Sequence, residues 1–189
     1  HCEAFAYALN NQSFTVAEEN ENYHAKNGVL CDNMYGIVSY PQNAPATSYK
    51  VPNNIIAIMP YAFCGTKNLK TVTMPQYKLG TANYFAVQLI GDCAFLNSSV
   101  ETVDIQSENF MWMGNAAFEN SQLKEISFVF DKDDYGYDIN LEIDALGFTF
   151  GHDVFEGTPF LENAEYDEDG VFYHGNMLIA TKEEAGKKN

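Results

Sequence analysis

Apolar positions recur along the chain around four phenylalanines, each of which directly follows a small residue. They are Phe63, Phe95, Phe118 and Phe155. An apolar residue stands five positions before each of them, and glycine or asparagine stands two positions after, as Gly65, Asn97, Asn120 and Gly157. These two residue types tolerate the left-handed backbone conformation in which a helical turn ends. The pattern predicts repeats in which a short helical turn always ends at the same point.

A second apolar pattern follows the first three of these phenylalanines, with a spacing of three residues and then two. It reads Leu69-x-x-Val72-x-Met74, Val100-x-x-Val103-x-Ile105 and Leu123-x-x-Ile126-x-Phe128. A spacing of two is typical of a strand whose alternate side chains point inward. Because the strands recur in the same direction, they are predicted to form a short parallel sheet. Each repeat needs its neighbours to close a continuous core.

The outward positions of these predicted strands carry short polar residues. They are Thr71 and Thr73, Thr102 and Asp104, and Glu125 and Ser127. Such residues are typical of a solvated sheet face. A concave surface that binds a protein is the alternative interpretation.

Two insertions interrupt the repeats at the same point, just after a predicted strand. They occupy residues 75–86 and 129–146, where the comparable short link runs only from Ile105 to Phe110. Insertions that recur at one point project from one side of a solenoid, often its binding side. Ligand contacts are therefore expected on this side. The candidates are the aromatic residues Tyr77, Tyr84, Tyr135 and Tyr137 on the insertions, and the single tryptophan, Trp112.

Local packing is the alternative for these aromatic residues. Tyr77, Tyr84, Tyr135 and Tyr137 can pack against the solenoid from which the insertions project. Trp112 lies between the inward-facing Phe110 and Met113, which predicts a partly exposed ring. Its two possible roles are edge packing and ligand contact.

Two further segments resemble one another near the ends of the chain, at about residues 14–41 and 164–181. Each contains a tight-turn dipeptide, Asn27-Gly28 or Asp169-Gly170, between runs of strand-forming residues. They are interpreted as inserted antiparallel β-meanders. The chain, residues 1–189, is thus predicted to be a single β-rich α+β solenoid of about four to five repeats, cut from a longer array.

Composition excludes several classes of partner. The formal net charge is −16 and all ten basic residues are lysines, so nucleic acid and anionic membrane surfaces are poor partners. The longest apolar runs fall short of the 18 residues of a membrane span, so no direct membrane insertion is expected. Four cysteines occur without zinc-ligand spacing, and we expect them to act as small buried apolar residues.

The residues Leu69-x-x-Val72-x-Met74-Pro75 and Val87-x-x-Ile90-Gly91-x-x-Ala94-Phe95 resemble the BspA-like class of leucine-rich repeats. The first meander also looks like a segment common in that family, and the resemblance covers about residues 4–182. It implies irregular leucine-rich repeats in an exported or surface-attached protein, extracellular or on the cell surface of a host-associated bacterium, with a role in adhesion. It implies no catalytic residues and no cofactor. Gly147 departs from the pattern, since an apolar residue is usual there.

Catalytic and metal-binding patterns are weak. The four histidines stand in no recognisable catalytic motif. The segment Asp131-x-Asp133-x-Tyr135-Gly136-x5-Glu142 matches part of a calcium-loop template, with a charged surface loop as the alternative. The expected function is a non-catalytic module that binds a host matrix or surface protein, or a microbial ligand. A carbohydrate-binding or cell-wall accessory module and a hydrolase with an acidic cleft are the alternatives.

Overall fold

The computed structural model describes residues 2–6, 8, 10–75, 86–107, 110–128, 149–174 and 177–182. Its elements are short. A 3-10 helix spans Cys2–Phe5, and the strands are Tyr23–Lys26 (β1), Val29–Asp32 (β2), Gly36–Ser39 (β3), Ser48–Lys50 (β4), Ala57–Ile58 (β5), Thr71–Thr73 (β6), Leu89–Ile90 (β7), Thr102–Ile105 (β8), Trp112–Met113 (β9), Glu125–Phe128 (β10), Thr149–Phe150 (β11), Val171–His174 (β12) and Met177–Thr181 (β13). One helical turn, Pro159–Glu162 (α1), precedes β12.

The repeats form two parallel sheets. Sheet A has the order β1-β2-β3-β5-β7-β9-β11, and sheet B has the order β10-β8-β6-β4. Sheet B is the predicted parallel sheet. Sheet A was not predicted as a sheet, because its repeat strands are only two residues long and end at the apolar residue five positions before each phenylalanine. Each of the first three repeats therefore contributes one short strand to sheet A and one to sheet B.

Antiparallel strands lie at both predicted meanders. Strand β1 pairs with β2 and β2 with β3, and β3 then pairs in parallel with β5, which joins the first meander to sheet A. Asn27 and Gly28 both adopt positive φ angles, 51° and 79°, as a tight hairpin turn requires. Near the other end, β12 and β13 pair antiparallel as a separate sheet.

The four phenylalanines stack into one column that runs through the core. Successive ring centroids of Phe63, Phe95, Phe118 and Phe155 are 4.8, 4.6 and 5.8 Å apart. Tyr40 extends the column, with its ring 5.3 Å from that of Phe63. Burial of each ring contributes roughly 1.5 to 3 kcal/mol. The column is the main apolar contact between consecutive repeats.

The turns that carry these phenylalanines contain two left-handed residues each. Gly65, Asn97, Asn120 and Gly157 have φ angles of 66°, 55°, 54° and 64°, as predicted. The residue two positions before each phenylalanine is also left-handed: Tyr61, Cys93, Ala116 and Asp153. Bonds of the helical i to i+3 type occur within a turn, such as Leu96 N to Cys93 O at 3.1 Å. The turn does not continue as a helix, because intervening N–H groups donate to the next repeat instead, as Phe95 N does to Ala117 O at 2.7 Å.

Glycine before three of the four turns allows the repeats to approach closely. A Cβ atom at Gly114 would lie 2.5 Å from the backbone nitrogen of Asp92, well inside van der Waals contact. Gly91 and Gly151 stand in the same position in the neighbouring repeats and meet the same obstacle. In the first repeat Met59 occupies the position. The regularly spaced apolar residues therefore form the core, and the glycines before the turns lie where the backbones of consecutive repeats are in close contact.

Candidate ligand-binding surface

Both insertions join the solenoid at the same corner. The first insertion, residues 75–86, lies between β6 and β7, and the second, residues 129–146, lies between β10 and β11. Each therefore connects the end of a sheet B strand to the start of a sheet A strand. The short link from β8 to β9 makes the same connection in the repeat that lies between the two repeats with insertions. The predicted contacts Tyr77, Tyr84, Tyr135 and Tyr137 and the predicted calcium ligands Asp131, Asp133 and Glu142 lie outside the described residues. Gly147 does as well.

Trp112 is described, and it lies beside this corner. It is the first residue of β9, and its side chain is 36% exposed whereas that of Met113 is fully buried. The partial exposure agrees with the sequence prediction. The parallel register places Trp112 between Leu89 on β7 and Thr149 on β11. Trp112 therefore stands on the outer side of sheet A, next to the point where the second insertion rejoins the sheet.

Beside Trp112, a row of four residues, three of them apolar, runs along the outer edge of sheet A. Backbone hydrogen bonds connect Tyr35 to Ile56, Ile56 to Gln88 and Gln88 to Met111, with N to O distances of 2.9, 2.8 and 2.7 Å. Neighbouring strands lie about 4.8 Å apart, so these residues form a row about 14 Å long. We define the apolar strip as the apolar residues of this row and those next to them along the chain, Met34, Tyr35, Ile56, Leu89, Met111 and Trp112. Gln88 is a polar member of the row and is not part of the strip.

The apolar strip is exposed at both ends. Met34 is 80% and Tyr35 is 44% exposed at one end, and Met111 is 49% exposed beside Trp112 at the other. Sequence reasoning found only Trp112. Met111, like Trp112, lies between the expected inward-facing residues Phe110 and Met113, but its alignment with Tyr35 depends on pairing across four strands.

The outer face of sheet B offers a different kind of surface. Its outward residues are the predicted polar ones, and they bind one another: Ser127 Oγ donates to Asp104 Oδ1. Beside them Glu101 pairs with Lys70 and with Lys124, each at 2.7 Å. Hydrogen bonds from Lys124 and Lys70 lower the pKa of Glu101 to about 2. This face is solvated and internally paired, and it lacks the large apolar side chains that supply binding energy at interfaces.

The described histidines have structural contacts. His24 Nδ1 lies 2.9 Å from Asn33 Oδ1, the backbone N–H of His152 donates to Asn115, and the His174 ring contacts Phe128 and Phe160. Within the described ranges, no cluster of three or more His, Cys, Asp or Glu side chains is arranged to hold a metal ion. No helix in that part of the chain is long and apolar enough to span a bilayer.

Solved structures place this architecture among leucine-rich repeat proteins. A leucine-rich repeat protein from Eubacterium ventriosum superposes on 91% of the chain with a TM-score of 0.56 and 18% sequence identity, and the chain spans 58% of its length. The pneumococcal vaccine antigen PcpA (TM-score 0.43, 18% identity) and a leucine-rich cell surface protein from Faecalibacterium prausnitzii (0.42, 19%) are matched over 82% and 71% of the chain and 41% and 40% of their own lengths.

The amino-acid sequence of the repeats identifies the family of leucine-rich repeat proteins. Residues 39–136 match the BspA type leucine-rich repeat region in six copies. The chain belongs to the BspA-type leucine-rich repeat family. The resemblance noted in the sequence is thereby confirmed. No curated protein sequence matches the chain significantly.

Proposed function

We propose that this chain is a non-catalytic, protein-binding module of an exported bacterial surface protein, and that it binds its ligand at the corner formed by the apolar strip and the two insertions. The observation that carries this proposal is the exposure of Met111 and Tyr35 in one row of a well-packed sheet, with the partly exposed Trp112 next to Met111. Tryptophan, tyrosine and methionine are enriched in the buried centres of protein interfaces. Family membership supports a binding role, since stacked repeats present extended surfaces.

The expected partner is a basic or mixed-charge protein surface with apolar residues at its centre. The chain carries a net charge of −16, and its second insertion contains Asp131, Asp133 and Asp138. Carboxylates at the rim of a site mainly accelerate encounter with a basic partner, whereas buried aromatic residues supply the affinity. The natural setting proposed for this contact is adhesion to a host or microbial surface.

The proposal is tested with a double variant of the strip, Trp112→Ala with Met111→Ala, on an array of extracellular host proteins and, in parallel, on a glycan array. We expect wild-type signals on the protein array that fall at least tenfold in the variant, because truncation of central aromatic residues costs about 1.4 kcal/mol or more. The matched control is Tyr173→Ala, which removes a ring that is 49% exposed on β12, outside the strip. The control should bind as the wild type does.

Two results would contradict the proposal. If the double variant keeps its circular dichroism spectrum and binds every array protein as well as the wild type, the strip is not the site. If only glycans give signals, the carbohydrate-binding alternative replaces protein binding.

A further inference from the structure

A cleft of about 370 Å³ lies beside β4, at the opposite end of sheet B from β10. Strand β4 pairs with β6 on one side, and among the described strands it has no partner on the other. Tyr40 and Tyr49 line the cleft, with ring centroids 5.1 Å apart. Gln12 and the hairpin turn at Asn27 line it as well. The cleft is therefore a trough of mixed polar and apolar lining between an edge strand and residues at and just before the first meander, which include the apolar Val29.

The backbone of β4 directs hydrogen-bonding groups into this trough. Val51 N–H donates to Thr73 O at 2.9 Å, and Thr47 O accepts from Thr71 N at 3.1 Å, so the odd-numbered residues bond towards β6. Alternate residues of a strand direct their N–H and C=O groups to opposite sides. Ser48 and Lys50 consequently present theirs to the cleft, and both residues are exposed. An open edge of this kind is a template for the addition of a further strand.

The charges along sheet B indicate what kind of strand could pair with the open edge of β4. Lys70 and Lys124 both pair with Glu101, which directly precedes β8, the strand between β6 and β10. Lys50 lines the cleft and has no ion pair with any described carboxylate. A lysine on an edge strand disfavours addition of a segment that offers it no counter-charge. The same lysine selects a segment that brings a carboxylate to its side.

We propose that β4 binds an extended acidic peptide as a fifth, parallel strand of sheet B, with an apolar side chain over Tyr49 and a carboxylate beside Lys50. Parallel orientation follows from the other strand pairs of sheet B, β4/β6, β6/β8 and β8/β10. The apolar position follows from the register, in which Tyr49, Val72 and Val103 stand at one level along the sheet. This site lies apart from the apolar strip and does not depend on the function proposed for it.

The chain itself supplies a probe peptide. Residues 98–107 contain β8, and in the register of sheet B Val103 stands level with Tyr49 and Asp104 stands level with Lys50. A fluorescein-labelled synthetic peptide of this sequence is titrated into the full chain and followed by fluorescence anisotropy. We expect saturable binding below about 1 mM, because strand addition forms several main-chain hydrogen bonds next to an apolar floor.

Selective N-methylation distinguishes strand addition from adhesion of an acidic peptide. In the proposed register the N–H groups of peptide residues Val103 and Ile105 donate to Ser48 O and Lys50 O, whereas those of Thr102 and Asp104 point away. A peptide N-methylated at Val103 and Ile105 is expected to bind at least tenfold more weakly than the parent peptide. The matched control is N-methylated at Thr102 and Asp104, and its affinity should stay within about threefold of the parent's.

A charge exchange tests the acidic position. Lys50→Glu should weaken binding of the parent peptide several-fold, and a peptide carrying Asp104→Lys should recover that loss on the variant but not on the wild type. The proposal is overturned if the folded chain does not bind the parent peptide, if the two methylated peptides bind equally, or if the charge exchange gives no recovery.

Discussion

Phe118 lies in the middle of the aromatic column, fully buried between Phe95 and Phe155. Phe118→Ala is expected to lower the free energy of unfolding by about 3 to 5 kcal/mol, because it opens a cavity that the rigid stack cannot close. Phe5→Ala is the matched control, since that ring is 36% exposed at the end of the chain. Urea denaturation of both variants measures the difference. A loss below about 1 kcal/mol at Phe118 would contradict the stacked arrangement.

Cys31 and Cys64 make folding sensitive to alkaline pH. Both thiols are buried, and burial raises the pKa of each from 9.0 to about 11. Above pH 9 the unfolded chain loses these protons while the folded chain keeps them, so stability falls as pH rises between about 9 and 11. Below pH 9 both states are protonated and the effect vanishes.

Urea midpoints at about pH 8 and pH 10.5, in reducing buffer, measure this loss. The double variant Cys31→Ala with Cys64→Ala should lose less between the two pH values than the wild type. A residual loss is expected from Tyr40, because burial raises its pKa as well. Equal losses in both proteins would show that the thiols are not held in the apolar core.

Single residues could be predicted where backbone conformation or burial restricts the residue type. The left-handed positions Gly65 and Asn97 were found because glycine and asparagine are the types that tolerate them. Cys93 and Ala116 are equally left-handed, yet neither residue type indicates it, since their N–H groups are held by hydrogen bonds to the next repeat. Those hydrogen bonds form only when consecutive repeats stack, so no local sequence pattern predicts them.

At the level of elements, the contact between consecutive turns depends on Gly114. Gly114→Ala is expected to destabilise the fold by roughly 1 to 3 kcal/mol, because the added carbon meets backbone atoms of the preceding repeat. Gly36→Ala is the matched control, since the atoms nearest to its added carbon are side-chain atoms of Asp32 and Met59, which can move. Thermal unfolding should separate the two variants. Equal melting temperatures would mean that the repeats are not in close backbone contact.

The strands differ in how far the sequence predicts them. Sheet B strands carry three inward residues in a spacing of three and two, which was enough to predict β6, β8 and β10. A strand of two residues, such as β7 or β9, has no period to detect. For the same reason the apolar strip could not be predicted, because its residues come together only through the pairing of these short strands.

At the scale of the whole molecule, the proposed binding site combines the acidic sequence of the second insertion with the apolar strip on sheet A. The net charge of −16 and the acidic residues between Asp131 and Asp138 favour fast encounter with a basic partner. The apolar strip, with Trp112 beside the stems of the insertions, favours slow dissociation. Raising the salt concentration should therefore slow association more than it speeds dissociation.

The most direct measurement of the binding site compares association and dissociation rates for two altered proteins on the same immobilised ligand. In the first, residues 131–142 are replaced by a short Gly/Ser link, and in the second, Thr102 and Asp104 on the sheet B face become alanine. Circular dichroism must show that both retain the solenoid. We expect the shortened protein to bind at least tenfold more weakly and the sheet B variant to bind as the wild type does. Unchanged binding of the shortened protein, together with loss of binding in the sheet B variant, would place the site on the strand face and contradict the proposed binding site.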